Sequence, residues 1–217
     1  VSNNIMSKKI LTLNLLFWLT ISCNKYDNPI IEIDTAKIRL EAAKNGLTVE
    51  ENEKLNILLN DSVIKNTIGK TLPNIVVRNI ANQKKNFLDE LDKFDNDFIL
   101  ISSDVYCGFG IECITDIFPK SYKKFSTENK RVPVICLIKR TADDIKDSEA
   151  INKTIEKIKP FYNSIYIVDE KETNKLNMFV NPSRIYVTKN MVVKNIKFGI
   201  DISGDLYEEI KQNIDLN

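Results

Sequence analysis

The sequence predicts an α/β fold: a central mixed sheet with helices on both faces, preceded by a helical extension. Three observations predict it. Short continuous apolar runs at 98–101, 132–138 and 165–168 have the length of strands buried on both sides. Between them apolar residues recur at helical spacing, first Ile114, Phe118, Tyr122 and Phe125, then Ile151, Ile155 and Ile158. The chain closes with a hairpin signal, Ile185-Tyr-Val187 and Met191-Val-Val193 around the Lys189-Asn190 turn, and a helix carrying Leu206, Ile210 and Ile214.

In chain order, the first element is a leader. Lys8 and Lys9 precede an almost wholly apolar stretch at 10–21. As a helix that stretch would cover about 18 Å, too little for a hydrocarbon core of about 30 Å, so residues 1–22 read as a signal peptide. It ends in Leu19-Thr-Ile-Ser-Cys23, which resembles a bacterial lipobox: small Ser22 precedes the cysteine, and Thr20 stands where leucine is usual. The resemblance implies cleavage before Cys23 and a lipid on its sulfur. That would hold the protein on a membrane of the bacterial cell envelope, extracytoplasmic, facing the periplasm or in the outer membrane. The bland alternative is an ordinary secretory signal with an incidental cysteine.

Residues 23–33 are polar with one proline and read as a tether. Residues 34–66 read as a helical extension. Asp34-Thr35 can cap a helix through Ile38, Leu40 and Ala43 that stops at Gly46, and Thr48-Val-Glu-Glu51 has capping-box spacing. These helices either pack on the main domain or act as a spacer. The main domain is expected over 67–217. It opens with a short strand at Ile75-Val-Val77 and a turn at Asn82-Gln83, and its first long helix, over 111–125, should kink at Pro119.

Composition removes several function classes. With 31 basic and 30 acidic residues the formal charge is +1, and loss of the leader's two lysines makes it −1. A balanced chain has no electrostatic case for nucleic acid. Histidine is absent, which removes Ser-His-Asp and Cys-His catalysis and the usual zinc sites. Neither a metal nor a cofactor is expected. Cys136 lies within an apolar run and reads as a buried core thiol. Cys107 and Cys113 instead follow the 98–101 strand, where the chain turns into a helix. A helix N-terminus favours thiolate over thiol, so this is a common place for thiol chemistry.

Four segments together resemble the thioredoxin fold, and more narrowly the TlpA/ResA-type extracytoplasmic thioredoxins, many of which are lipoproteins. They are Ile68-Gly-Lys-Thr-Leu-Pro-Asn74, the strand ending at Tyr106-Cys107, Val168-Asp169, and Asn181-Pro182-Ser183 before a strand. The resemblance covers residues 67–217. It places Tyr106 where the family has tryptophan and Cys107 on the nucleophilic cysteine of Trp-Cys-x-x-Cys. Pro182 falls on the family's cis-proline, which helps present substrate backbone, and Ser183 falls where threonine is common. The second cysteine departs from the pattern. Gly110 takes its position when Cys107 is the anchor. When Cys113 takes the second position, Gly110 takes the first. An insertion reconciles the two, with Cys107 and Cys113 as the pair. A continuous helix would separate their α-carbons by about 9 Å, beyond the roughly 4.4–6.8 Å of a disulfide. A cross-link therefore needs Gly108-Phe-Gly110 to be a loop, with the helix starting near Ile111.

The resemblance implies a thiol–disulfide oxidoreductase acting on protein or peptide thiols and disulfides. Cys107 would attack, Cys113 would resolve, and Tyr106, Pro182 and Ser183 would line the substrate groove. The alternative is a non-catalytic thioredoxin-fold binding module whose cysteines are structural or idle. A peroxidase using Cys107 alone fits less well. Asp104 stands where peroxiredoxins have threonine or serine, and Trp18 is lost with the leader. Arg184, beside Pro182, reads as a surface residue.

Overall fold

The computed structural model describes residues 28–128, 131–140, 144–178, 180–199 and 206–214. The expected signal peptide, residues 1–22, and Cys23 lie outside the described residues. In chain order the elements are α1 (Thr35–Lys44), α2 (Val49–Thr67), β1 (Val76–Arg78), β2 (Lys84–Asn86), α3 (Phe87–Leu91) and β3 (Phe98–Asp104). A helix then starts as α4 (Gly108–Glu112), widens into a π-turn over Cys113–Ile117 and continues as α5 (Phe118–Glu128). After it come β4 (Val134–Arg140), α6 (Asp144–Ile158), β5 (Ser164–Asp169), α7 (Glu170–Lys175), β6 (Ser183–Val187), β7 (Val193–Phe198) and α8 (Leu206–Asn213).

The strands form one seven-stranded sheet in the order β2-β1-β5-β4-β3-β6-β7. β3, β4 and β5 run parallel, and the two hairpins flank them antiparallel. The long apolar runs are explained by this arrangement, because the central strands are covered on both faces. Strand alternation divides their side chains. Ile99, Ile101, Val134, Cys136 and Ile138 join a first core with residues of α5, α6 and α8. Phe98, Leu100, Ile135 and Leu137 join a second core with Phe87, Leu91 and Val63.

The extension packs on the domain. The Thr48–Glu51 capping box forms as its spacing predicts, with the Glu51 amide donating to Thr48 Oγ1 (3.3 Å) and the Thr48 amide to Glu51 Oε2 (2.8 Å). Val63 of α2 is fully buried in the second core. The described part of the expected tether is also packed: Ile30 and Ile33 are buried, and Pro29 bridges to Thr71. Asn177 ties these pieces together. Its amide donates to Ile31 O (3.1 Å) and Thr67 Oγ1 (2.9 Å), and its Oδ1 accepts from the Ile33 amide (3.1 Å).

The first long helix differs from expectation at both ends of its first half. It begins at Gly108, not near Ile111, and its irregularity is a π-turn directly before Pro119. Proline at 119 has no amide to give the carbonyl four residues back, and its ring crowds that carbonyl. The Phe118 amide instead bonds Cys113 O, five residues back, as a π-turn requires.

Candidate functional site

Three β-strands bring the site together. β3 is an interior strand of the sheet, with β4 on one side and β6 on the other. Its C-terminal end runs into Asp104-Val-Tyr-Cys107, the edge at which α/β sheets gather functional groups. The turn is built on Asp104. Its carboxylate accepts from the Tyr106 amide (2.8 Å), and its carbonyl accepts from the Cys107 amide (3.3 Å). Tyr106 stands out at 56% exposure. Cys107 is half-buried and occupies the N-cap of the helix. Its sulfur takes the capping role usually filled by an oxygen, accepting from the Gly110 amide at 3.3 Å.

Gly110, which holds the second-cysteine position when Cys107 is the anchor, is buried against β3. A Cβ built there would lie 2.3 Å from Ser103 Oγ and 3.3 Å from Cys107 Sγ. No side chain fits unless Ser103 moves, so the first helical turn seats on the strand through a glycine.

Cys113 is fully buried in the first core, beside Ile114 and with Cys136 in the same cluster. Burial pushes its thiol up to about 12, against a smaller opposing pull from Arg184. Cys107, Cys113 and Cys136 are all free thiols. The expected Cys107–Cys113 cross-link is therefore not formed. The physical reason is the one that set its condition: residues 108–112 are helix, not loop. Six residues of helix keep the α-carbons about 9 Å apart.

Pro182 and Ser183 are buried at the start of β6, and the Asn181–Pro182 peptide is cis. Ser183 pairs across the sheet with Ser102 of β3, two residues before Asp104. The ladder thus carries Pro182 to the end of β3 that leads into Cys107. Ser183 Oγ donates to Val180 O. Ser102 Oγ and Asn181 Oδ1 are buried with no hydrogen-bond partner among the described residues.

Two buried cations escaped the sequence reading. Arg184 is internal, 2% exposed, and its expected surface position is corrected. It makes a two-pronged pair with Glu209 of α8 (Nε–Oε1 2.8 Å, Nη2–Oε2 2.8 Å) and donates to Gly199 O. Tyr186 donates to the same carboxylate at 2.6 Å. Lys139, near the end of β4, is 4% exposed and stands opposite Asp104 in the β3/β4 ladder. Burial pushes its ammonium down to about 8, while Asp104, Glu170 and Cys107 pull the other way. The signal was present in Val134-Ile-Cys-Leu-Ile-Lys-Arg140. Strand alternation places Lys139 with Ile135 and Leu137, on a face that must be buried.

The architecture has solved counterparts. The thioredoxin domain of a thiol-disulfide oxidoreductase from Bacteroides vulgatus aligns over 69% of this chain and 99% of its own, at 14% identity and a TM-score of 0.50. A thiol:disulfide interchange protein from a Bacteroides species aligns over 69% of this chain and 91% of its own, at 15% identity and a TM-score of 0.50. The chain has the thioredoxin fold. No protein-family model and no curated protein matches the chain. In thioredoxin-fold terms, Cys107 stands at the strand-to-helix junction, and the cis Pro182 opens the neighbouring antiparallel strand.

Proposed function

We propose that this protein performs thiol–disulfide exchange on extracytoplasmic proteins or peptides, with Cys107 as the attacking thiol, and that Cys23 anchors it to a membrane. The observation that carries the exchange reading is the position of Cys107: a free, half-buried thiol capping a helix at the end of an interior strand of a thioredoxin fold. The Cys107 thiolate attacks one sulfur of a partner's disulfide. A Cys107–partner bond forms, the partner's sulfur–sulfur bond breaks, and its second sulfur leaves as thiolate.

Resolution by Cys113 balances in the same way. Its thiolate attacks Cys107, the partner leaves as thiolate, and a Cys107–Cys113 disulfide remains. That second step requires residues 108–112 to unwind and Cys113 to lose its proton, so it is gated where the first is not. Tyr106, exposed beside the nucleophile, would meet a partner directly, whereas Pro182 and Ser183 are buried at the start of β6. The binding-module reading is favoured by one observation, the unbroken helix over a buried Cys113.

Insulin reduction with a dithiol as electron source separates the two. Wild type should accelerate it and Cys107→Ser should not; equal rates would sink the exchange reading in favour of binding. For the anchor, Cys23→Ala should move the protein from the membrane to the soluble fraction, and unchanged fractionation would count against lipidation.

A further inference from the structure

The sheet opens at its β1–β5 junction. The two strands share a single residue pair, Arg78 with Ile167. Beyond it the Val76 amide donates to the Glu172 carboxylate (3.1 Å) instead of to β5. A cleft of about 160 Å³ lies there, with Arg78, Lys84, Lys171, Asp169 and Glu172 in its wall. Both carboxylates are already matched, Asp169 by Arg140 (2.8 Å) and Glu172 by Lys175 (3.0 Å). The three cations are not. Among the described residues Arg78 donates only to neutral oxygens, the carbonyl and side chain of Asn82 (3.3 and 3.4 Å). Lys84 and Lys171 make no ion pair or side-chain hydrogen bond among them. Arg78 and Lys84 also stand directly opposite each other across β1 and β2. Like charges so placed weaken a ladder. Positive charge gathered in a cleft against the stability of its own hairpin points to an anionic ligand.

We propose that this cleft binds carboxylates of an acidic segment of the polypeptide whose disulfide meets Cys107. The proposal rests on the exchange reading. Arg78, Ile167, Ile138 and Ser103 lie in register across β1, β5, β4 and β3, and Ser103 precedes Cys107 by four residues. Three strand spacings, about 14 Å, separate the β1 wall of the cleft from β3. An extended chain covers that distance in about four to five residues. A partner held at Cys107 therefore reaches the cleft with side chains that far along its sequence. Carboxylates suit the donors: Arg78 offers a planar fork, and the two lysines offer ammonium groups on long stems. The segment contributes binding and orientation, and no bond is made or broken in the cleft.

The test is a titration of fluorescein-labelled hexaglutamate with the full chain in low salt, read by fluorescence anisotropy, with labelled hexaglutamine as the neutral control. Wild type should bind hexaglutamate and ignore hexaglutamine, and added sodium chloride should weaken the binding. Lys84→Gln combined with Lys171→Gln should weaken it roughly tenfold. Lys65→Gln combined with Lys123→Gln removes the same charge from exposed helix positions and should bind as wild type does. Equal loss in both double variants overturns the proposal, because net charge alone then accounts for the binding. Lys84→Gln alone should also raise the urea midpoint, since it relieves the opposition to Arg78, so lost binding is not lost folding. Wild type that fails to bind hexaglutamate overturns the proposal. Inorganic phosphate that displaces the peptide more than sodium chloride of equal ionic strength overturns the peptide assignment in favour of a free oxyanion. A protein that binds hexaglutamate but leaves insulin unreduced loses the exchange reading and keeps the cleft; one that reduces insulin and ignores hexaglutamate loses the cleft alone.

Discussion

Cys107 and Cys113 belong to one helical run, six residues apart, and share nothing else. Cys107 caps the helix at the edge of the sheet, half-buried, its sulfur within reach of a backbone amide. Cys113 opens the π-turn, fully buried among Ile101, Ile114 and Phe118. The contrast shows how little a cysteine's identity says about its chemistry, since burial, the largest of several influences, pushes the Cys113 thiol up to about 12. At neutral pH that leaves roughly one Cys113 in a hundred thousand as thiolate. The largest expected effect follows: in the reduced, folded protein Cys107 should be alkylated at least a hundredfold faster than Cys113. Peptide mapping across a time course measures the ratio. Similar rates in native buffer would break the comparison, and equal labelling only in denaturant would sharpen it.

Much of the scaffold is legible in the sequence, because periodicity is a local property. The runs at 98–101 and 132–138 predicted β3 and β4, and Thr48-Val-Glu-Glu51 predicted its own capping box. Elements that depend on partners were not legible. β2 is three polar residues, Lys84-Lys-Asn86, that form a strand only because β1 offers a ladder. Arg184 reads as a surface cation because length and charge favour exposure, whereas strand alternation alone places Lys139 on a buried face. Each is buried by a strand neighbour far along the chain, Asp104 for the lysine, and Gly199 with Glu209 of α8 for the arginine. The loop expected at 108–110 rested on the freedom glycine allows. At 110 that residue serves a tight fit against Ser103 instead, which no pattern in the sequence announces.

That fit supplies the second way to test the contrast. Gly110→Ala places a methyl 2.3 Å from Ser103 Oγ, so the helix start or the serine must shift. Overpacking of this kind costs about 1–3 kcal/mol, read as a lower denaturant midpoint with the slope unchanged. Ser103→Ala in the same chain removes the oxygen in the way and should recover most of the loss. If Gly110→Ala is neutral, the first turn is looser than its packing indicates, and Cys113 is correspondingly nearer to serving as the resolving thiol.

The smallest effect is a crossing of two stability curves. Cys113→Ala removes a buried sulfur and should cost about 1 kcal/mol at pH 7. Its pH dependence has the opposite sense. The Cys113 thiol is raised from 9.0 to about 12, so the folded chain keeps this proton over a range in which the unfolded chain has lost it. The stability it contributes is complete below pH 9 and drains away as pH rises toward 12. By pH 10 the loss is about 1.4 kcal/mol, one pH unit above the unfolded value. Lys139, whose lowered ammonium adds stability from about pH 8 toward 10.5, gives both proteins the same slope and cancels in the difference between the two chains. Cys136 is raised by burial and, to a smaller extent, by Cys113, so only the burial part of its contribution cancels. Urea unfolding at pH 7 and pH 10 should find Cys113→Ala the less stable protein at pH 7 and the equal or better one at pH 10. A constant difference across that range would mean that Cys113 ionises in the folded protein almost as it does in water. Cys113 would then be solvent-reachable, and the distinction between the two cysteines would collapse.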